Sequence, residues 1–131
     1  MEETKVRTRY CSEADAFVVY VDEECQPGSI EYTTDATGDM IFLVDYSASD
    51  KIVSLEILDA KKTLSKIPDT VYRVPINNRP ESKSGSKNFW FINPASYAAC
   101  DIQYVNTVAT NFRLIQNKVS DLVVGFQVVT L

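Results

Sequence analysis

Two groups of acidic side chains could do chemistry if the fold held them in a cleft. Glu13 and Asp15 lie in a short polar link between two apolar stretches, and Asp22, Glu23 and Glu24 follow the second stretch directly. Paired carboxylates act as acid and base catalysts when their surroundings raise the pKa of one of them. Exposed hairpin turns do not supply such surroundings. We therefore expect Glu13 and Asp15 to accept hydrogen bonds from turn amides instead.

Other catalytic and metal-binding chemistries are excluded by composition. The chain contains no histidine, which removes the usual general base and the nucleophilic triads that depend on it. The three cysteines, Cys11, Cys25 and Cys100, match no zinc-ligand spacing, and Asp22–Glu24 lacks the ligand spacing of a calcium loop. No glycine-rich phosphate loop occurs. The sequence predicts no metal and no cofactor, and we expect three free thiols in a cytoplasmic protein, since no export signal is seen.

Charge is divided unevenly along the chain. Residues 1–60 hold fourteen acidic and four basic side chains, a net charge of −10, whereas residues 61–131 hold four and nine, a net charge of +5. The acidic total of −5 argues against nucleic acid as a partner. Two oppositely charged halves that pack together would explain the same pattern, as would an acidic or basic binding face.

One polar stretch, residues 77–87, is longer than an ordinary hairpin loop and is locally basic. Long loops in compact domains are often functional, and aromatic residues and arginine are enriched at binding hot spots. We expect an interaction surface for an acidic protein partner at this place, and the alternative is an inconsequential insertion beside a core tryptophan. The residues of this predicted surface are Arg79, Lys83, Lys87, Trp90 and Tyr97.

Elements with period-two alternation of apolar side chains must position these residues. No apolar run is long enough to cross a membrane, and the pattern predicts an all-β fold. A short helix is expected over residues 59–66, with Asp59 as its N-terminal cap, and a capped turn over residues 93–97. Strands are predicted at residues 6–10, 16–21, 30–34, 40–46, 52–58, 70–74, 89–92, 102–108, 112–116 and 122–130.

The two halves of the chain resemble each other at an offset of 71 residues. Residues 41–58 align without a gap on residues 112–129, with apolar side chains on apolar side chains and a shared strand–loop–strand spacing. Leu43, Ser49 and Asp50 fall on the identical residues Leu114, Ser120 and Asp121. The alignment favours an internal duplication, with a first repeat over residues 1–66 and a diverged second repeat over residues 67–131.

The first repeat resembles a family of small bacterial domains of unknown function, DUF2283, over about residues 5–65. The resemblance is carried by Tyr10-Cys-Ser-Glu-Ala-Asp-Ala16 at the start and by Ile52-Val-Ser-Leu-Glu-Ile-Leu-Asp-Ala60 at the end. The family has glycine at the position where this chain has Ser54. In the second repeat the corresponding residue is a glycine, Gly125. The resemblance implies a compact β-rich unit and supplies no activity.

A repeat of this size is marginally stable alone, because little surface is buried in so short a chain. We therefore expect a single domain over residues 1–131, in which the two antiparallel meanders form one β-sandwich or barrel with a common core. The core pairs expected across a pseudo-twofold axis are Ile41, Leu43, Leu55 and Ile57 against Phe112, Leu114, Phe126 and Val128.

Function is not specified by any motif. We expect a non-catalytic protein-interaction module, which a filled interior with an exposed apolar edge would favour. The alternative is a small-molecule or saccharide-binding domain, which a cavity lined by tyrosine and tryptophan would favour. An enzyme of unknown type comes third. The sequence names neither the partner nor the oligomeric state.

Overall fold

The computed structural model describes residues 4–21, 28–64, 66–68, 71–75, 88–91, 101–108 and 112–128. Within these residues the chain forms antiparallel strands and one five-residue helix, so the predicted all-β class is confirmed. No helix in these ranges has the length and apolar character needed to cross a membrane.

Most strand boundaries lie within two residues of those predicted. The strand expected over residues 6–10 is wrong as one element, because it is interrupted at Arg7 and becomes two strands that join different sheets. The elements are β1 (Thr4–Val6), β2 (Thr8–Cys11), β3 (Ala16–Tyr20), β4 (Tyr32–Asp35), β5 (Phe42–Tyr46), β6 (Ile52–Ile57), α1 (Ala60–Leu64), β7 (Val71–Pro75), β8 (Asn88–Phe91), β9 (Ile102–Asn106), β10 (Phe112–Asn117) and β11 (Val123–Val128).

The chain divides into two compact units. The N-terminal unit comprises Val6–Ile67 and contains a five-stranded sheet in the order β2-β3-β6-β5-β4. The C-terminal unit comprises Met1–Lys5 and Pro68–Leu131 and contains a six-stranded sheet in the order β1-β7-β8-β11-β10-β9. That the whole chain unfolds as one domain stays a prediction.

One face of the five-stranded sheet is an apolar layer. Phe17 lies opposite Ile57, and Leu55 lies between Val19 and Val44; these five side chains are at most 1% exposed. Directly opposite residues of an antiparallel pair share a face, so the register assembles this layer from alternate positions.

Leu43 does not belong to that layer. It lies opposite Glu56 and therefore on the other face from Leu55, where it is half-buried. The prediction that Leu43 joins Leu55 and Ile57 in one core set is wrong, since residues an odd number apart along a strand point to opposite faces.

In the six-stranded sheet, β1 is one of the two edge strands and pairs with β7. Phe112 and Phe126 are at most 1% exposed, with ring centroids 5.6 Å apart. Leu114 lies opposite Phe126 in the same antiparallel ladder. Ile115 and Val124 form a second buried cluster with the half-buried residues Tyr72, Ile102 and Tyr104.

The two sheets have the same strand order once β1 is set aside, because β7, β8, β9, β10 and β11 occupy the places of β2, β3, β4, β5 and β6. Both central hairpins are also irregular at one step, between Asp45 and Tyr46 in β5 and between Ile115 and Gln116 in β10. The extra residue opposite each step is Val53 in β6 and Val124 in β11.

These registers correct the ungapped alignment. When the two bulges are aligned with each other, β6 corresponds to β11 at an offset of 71 residues, but β5 corresponds to β10 at an offset of 70. Leu114 therefore occupies the place of Val44 and not that of Leu43. The loop after β10 contains the additional residue, and a hairpin loop accepts an insertion without disturbing the ladder.

Candidate functional site

The turn between β2 and β3 holds the start of α1. The Asp15 carboxylate accepts the backbone N–H of Lys61, at 3.2 Å from Oδ1 and 3.4 Å from Oδ2, and the Asp15 carbonyl oxygen accepts the N–H of Ala60 at 2.9 Å. The Tyr10 hydroxyl donates to Asp15 Oδ1 at 2.7 Å. We call Tyr10, Asp15, Ala60 and Lys61 the Asp15 clasp. It ties the first turn to a helix far along the chain.

The clasp corrects the assignment of the helix cap. Asp59 precedes the first helical residue at a φ of 46°, and the carboxylate that accepts a helix N–H belongs to Asp15. Asp15 thus bonds a helix amide and not, as predicted, a turn amide. The hydrogen bond to Asp15 raises the pKa of Tyr10. Glu13 is exposed in the same turn, whereas Asp22, Glu23 and Glu24 lie outside the described residues.

A buried carboxylate that the sequence analysis did not single out lies on the other face of this sheet from the apolar layer. Asp45 is 1% exposed, and its oxygens accept the hydroxyls of Thr33 and Ser54 at 2.6 Å each. Glu56 shares this face and is half-buried. Burial and a hydrogen bond with Asp45 raise the pKa of Glu56 to about 7. We call Thr33, Asp45, Ser54 and Glu56 the polar patch.

The raised pKa of Glu56 favours its protonated form up to a pH near neutral. A carboxyl group with a raised pKa is what a general acid needs, but each Asp45 oxygen already accepts a hydroxyl, which fits an internal network. The described residues contain no group of three or more acidic or cysteine side chains placed to hold a metal ion. The sequence did carry a signal, because Ser54 and Glu56 stand two residues apart in an apolar strand and so share a face.

Strand β4 forms an edge of the five-stranded sheet and is flanked by exposed apolar side chains. Ile30 and Tyr32 are each 41% exposed, and Met40 in the following turn is 57% exposed. The Tyr32 ring stacks on Tyr46 with centroids 4.8 Å apart, and its hydroxyl donates to Asp50 at 2.7 Å. That hydrogen bond raises the pKa of Tyr32 to about 12. The ring is therefore fixed in place while part of it faces solvent.

The outer side of β4 presents backbone hydrogen-bonding groups. The N–H of Ala36 donates to the Phe42 carbonyl at 2.9 Å, and Thr34 lies two residues back in the same ladder. Because bonding direction alternates along an antiparallel strand, the N–H and C=O groups of Thr33 and Asp35 point away from β5. In the part of the chain that the structure describes, no strand pairs with this side.

Acidic residues dominate the surroundings of this strand. Glu31, Asp39 and Asp50 are exposed, and Lys51 is the exposed base that accompanies them. The hydroxyl of Thr37 and the backbone N–H of Ile41 donate to Asp39, which lowers the pKa of the Asp39 carboxyl and keeps it ionised. We call β4 with residues 30, 31, 39, 40 and 50 the acidic edge.

The C-terminal unit has a buried polar pair of a different kind. Arg113 is 7% exposed and Gln127 is fully buried; both the Nε and an Nη of Arg113 donate to Gln127 Oε1, the first at 2.8 Å. The Arg113 guanidinium also lies 4.2 Å from the ring centroid of Tyr104. Gln127 occupies the place of Glu56, so one sheet position carries a polar residue in both units.

The predicted interaction surface cannot be assembled from the described residues. Arg79, Lys83, Lys87 and Tyr97 lie outside them, and of Trp90 only the backbone is described, in β8 opposite Phe126. This surface stays a prediction.

The predicted thiols are described at one position. Cys11 is a half-buried free thiol, and Cys25 and Cys100 lie outside the described residues.

The comparisons with known proteins give one match. Residues 7–61 match the family model described as protein of unknown function (DUF2283), which covers β2 to the start of α1. A comparison with curated proteins finds no match, and neither does a comparison with solved structures. The matched segment contains the Asp15 clasp, the polar patch and the acidic edge, and residues 62–131 lie beyond it.

Proposed function

We propose that the DUF2283 segment of this chain belongs to a non-catalytic protein-interaction module. The observation that carries the proposal is an open strand edge beside a buried apolar layer. The side chains of the apolar layer of the five-stranded sheet are buried, whereas the outer side of β4 pairs with no other described strand, and Ile30 and Tyr32 are exposed. An exposed strand edge accepts an extended segment of another chain as an additional strand.

The motif residues support a binding role over a catalytic one. Asp15 is one of the two acidic residues of the starting motif, and its carboxylate oxygens accept hydrogen bonds from Tyr10 and from the helix N-terminus. Both carboxylate oxygens of Asp45 accept hydrogen bonds from hydroxyl groups of the sheet. Asp15 and Asp45 therefore stabilise the fold through their hydrogen bonds. This supports the exposed edge, and not these carboxylates, as the binding surface.

We further propose that the chain is a tandem repeat in one pseudo-symmetric domain, arranged as a sandwich or barrel. The equal strand orders of the two sheets and the equivalent bulges at Val53 and Val124 support a duplication. In the same proposal the protein is cytoplasmic, and the basic segment around Arg79, Lys83 and Lys87 is a second surface, suited to an acidic partner.

The test is capture from native lysate with two variants at Thr33. Thr33→Pro removes the outward N–H from the edge, and Thr33→Val keeps that N–H while losing the same hydroxyl. Partners retained by the wild type and Thr33→Val but lost by Thr33→Pro support the proposed edge. A replacement of residues 77–87 by a Gly-Asn turn tests the second surface in parallel. Equal capture by all variants and the wild type would refute both surfaces.

A further inference from the structure

The exposed side chains of the acidic edge and its turns are mostly negatively charged, so the edge favours partner strands of positive charge. Along β4 and its turns, Glu31, Asp39 and Asp50 are exposed carboxylates, and Lys51 is the exposed base beside them. Charges at the rim of an interface steer association and suppress partners of like charge. The edge is therefore complementary to a cationic strand.

We propose that the acidic edge binds an extended cationic segment of another protein, in which basic and apolar side chains alternate. This inference rests on the proposed function. The backbone of the segment pairs with the outward N–H and C=O groups of Thr33 and Asp35. Since successive side chains of a strand point to opposite faces, one row of the segment lies on the face of Tyr32 and the Asp50 carboxylate, and the other lies on the face of Thr33 and Asp35.

A second copy of this chain is a poor occupant of the same edge. Antiparallel pairing of β4 with β4 about Thr33 would place Glu31 of one copy opposite Asp35 of the other. Like charges directly opposite each other destabilise a strand pair. The side chain of Asp35 is also held in place, because its carboxylate accepts the N–H groups of Gly38 at 3.0 Å and Met40 at 3.0 Å.

The fixed geometry of the edge favours binding. Tyr32 is held by its stack on Tyr46 and by its hydrogen bond to Asp50, so little side-chain freedom is lost when a partner packs against it. Thr33 is likewise held by its bond to Asp45. A partner strand thus meets an ordered template.

The probes are three blocked peptides in which valine alternates with lysine, with serine or with glutamate, and their binding to the full chain is measured by fluorescence anisotropy. We expect the lysine peptide to bind the wild type, and to bind Thr33→Pro about tenfold more weakly than Thr33→Val, which lacks the same hydroxyl but keeps the outward N–H. Glu31→Lys should weaken binding at low salt at least about fivefold, and added salt should remove most of that difference. Glu13→Lys, an equal charge change in the turn that leads from the opposite edge strand β2, is the matched control.

Each other outcome is decisive. Equal binding of the serine or glutamate peptide, still sensitive to Thr33→Pro, overturns the cationic partner and leaves the proposed function intact. Binding of no peptide, together with lysate capture that ignores Thr33→Pro, overturns both. Self-association of the wild type that Thr33→Pro abolishes makes a second copy the occupant and also overturns the inference. Should Thr33→Pro fail to fold, Glu31→Lys against Glu13→Lys still decides the charge dependence.

Discussion

The Asp15 carboxylate accepts the backbone N–H of Lys61, so a residue in the first hairpin turn caps a helix that begins after the sixth strand. The bond joins the two ends of the segment that matches the family model. It offers a structural role for two residues of the starting motif: the Tyr10 hydroxyl donates to the Asp15 carboxylate, and that carboxylate accepts the N–H of Lys61 at the start of the helix.

Removing this cap should destabilise the protein, whereas changing the neighbouring aspartate should not. Asp15→Ala leaves the backbone N–H of Lys61 without its carboxylate acceptor and is expected to cost about 1–2 kcal/mol of unfolding free energy. Asp59→Gly, at a positive φ that glycine adopts readily, should stay within about 0.5 kcal/mol of the wild type. Urea unfolding followed by circular dichroism measures both. Equal losses would reassign the cap to Asp59.

The polar patch should make stability depend on pH in one direction. The pKa of Glu56 is raised from 4.5 to about 7 in the folded chain, so folding favours its protonated form. The stabilising effect is fully present below pH 4.5 and is lost as the pH rises through about 7. Glu56→Gln should keep this contribution at neutral pH. Urea midpoints between pH 4 and 8 should show the variant gaining on the wild type as the pH rises, and parallel profiles would contradict the assignment.

Tyr32 should titrate late because of one hydrogen bond. Its bond to Asp50 raises its pKa to about 12, above the ordinary value of 10.0. Asp50→Asn removes the anionic acceptor, so the pKa of Tyr32 should fall towards 10. The difference in ultraviolet absorbance between each protein and its Tyr32→Phe counterpart isolates this phenol among the seven tyrosines. An unchanged titration would show that Asp50 does not hold the hydroxyl.

The buried pair of the C-terminal unit should be strongly coupled. Gln127→Leu leaves the buried Arg113 guanidinium without the acceptor for two of its donors and should cost about 2–4 kcal/mol. The double variant Arg113→Met with Gln127→Leu removes the charge as well and should recover most of that loss. A double-mutant cycle by urea unfolding measures the coupling. Additive losses would mean that the two side chains do not depend on each other.

Local pattern was sufficient for the strands and insufficient for the contacts between them. Period-two alternation located β3, β5 and β6 to within two residues, because a strand with one buried face tends to alternate apolar and polar side chains. The cap at Asp15 was missed because local rules select the residue next to the helix, Asp59, while the actual partner comes from a distant turn.

Register explains the remaining errors. Apolar matching cannot distinguish Leu43 from Val44, so the one-residue offset of β10 is invisible until the ladder is known. For the same reason Ser54 and Glu56 could be placed on one face from spacing alone, but Asp45 could be added to them only through the pairing of β5 with β6.

The pairing of β1 with β7 also bears on how the chain is made. Residues 4–6 leave the ribosome before the N-terminal unit does, yet their partner strand begins only at Val71. This segment must therefore wait, unpaired with β7, while the whole N-terminal unit is translated. The strand has only three residues and contains a lysine, and both features discourage premature pairing with other chains. They suit a strand that joins its sheet late.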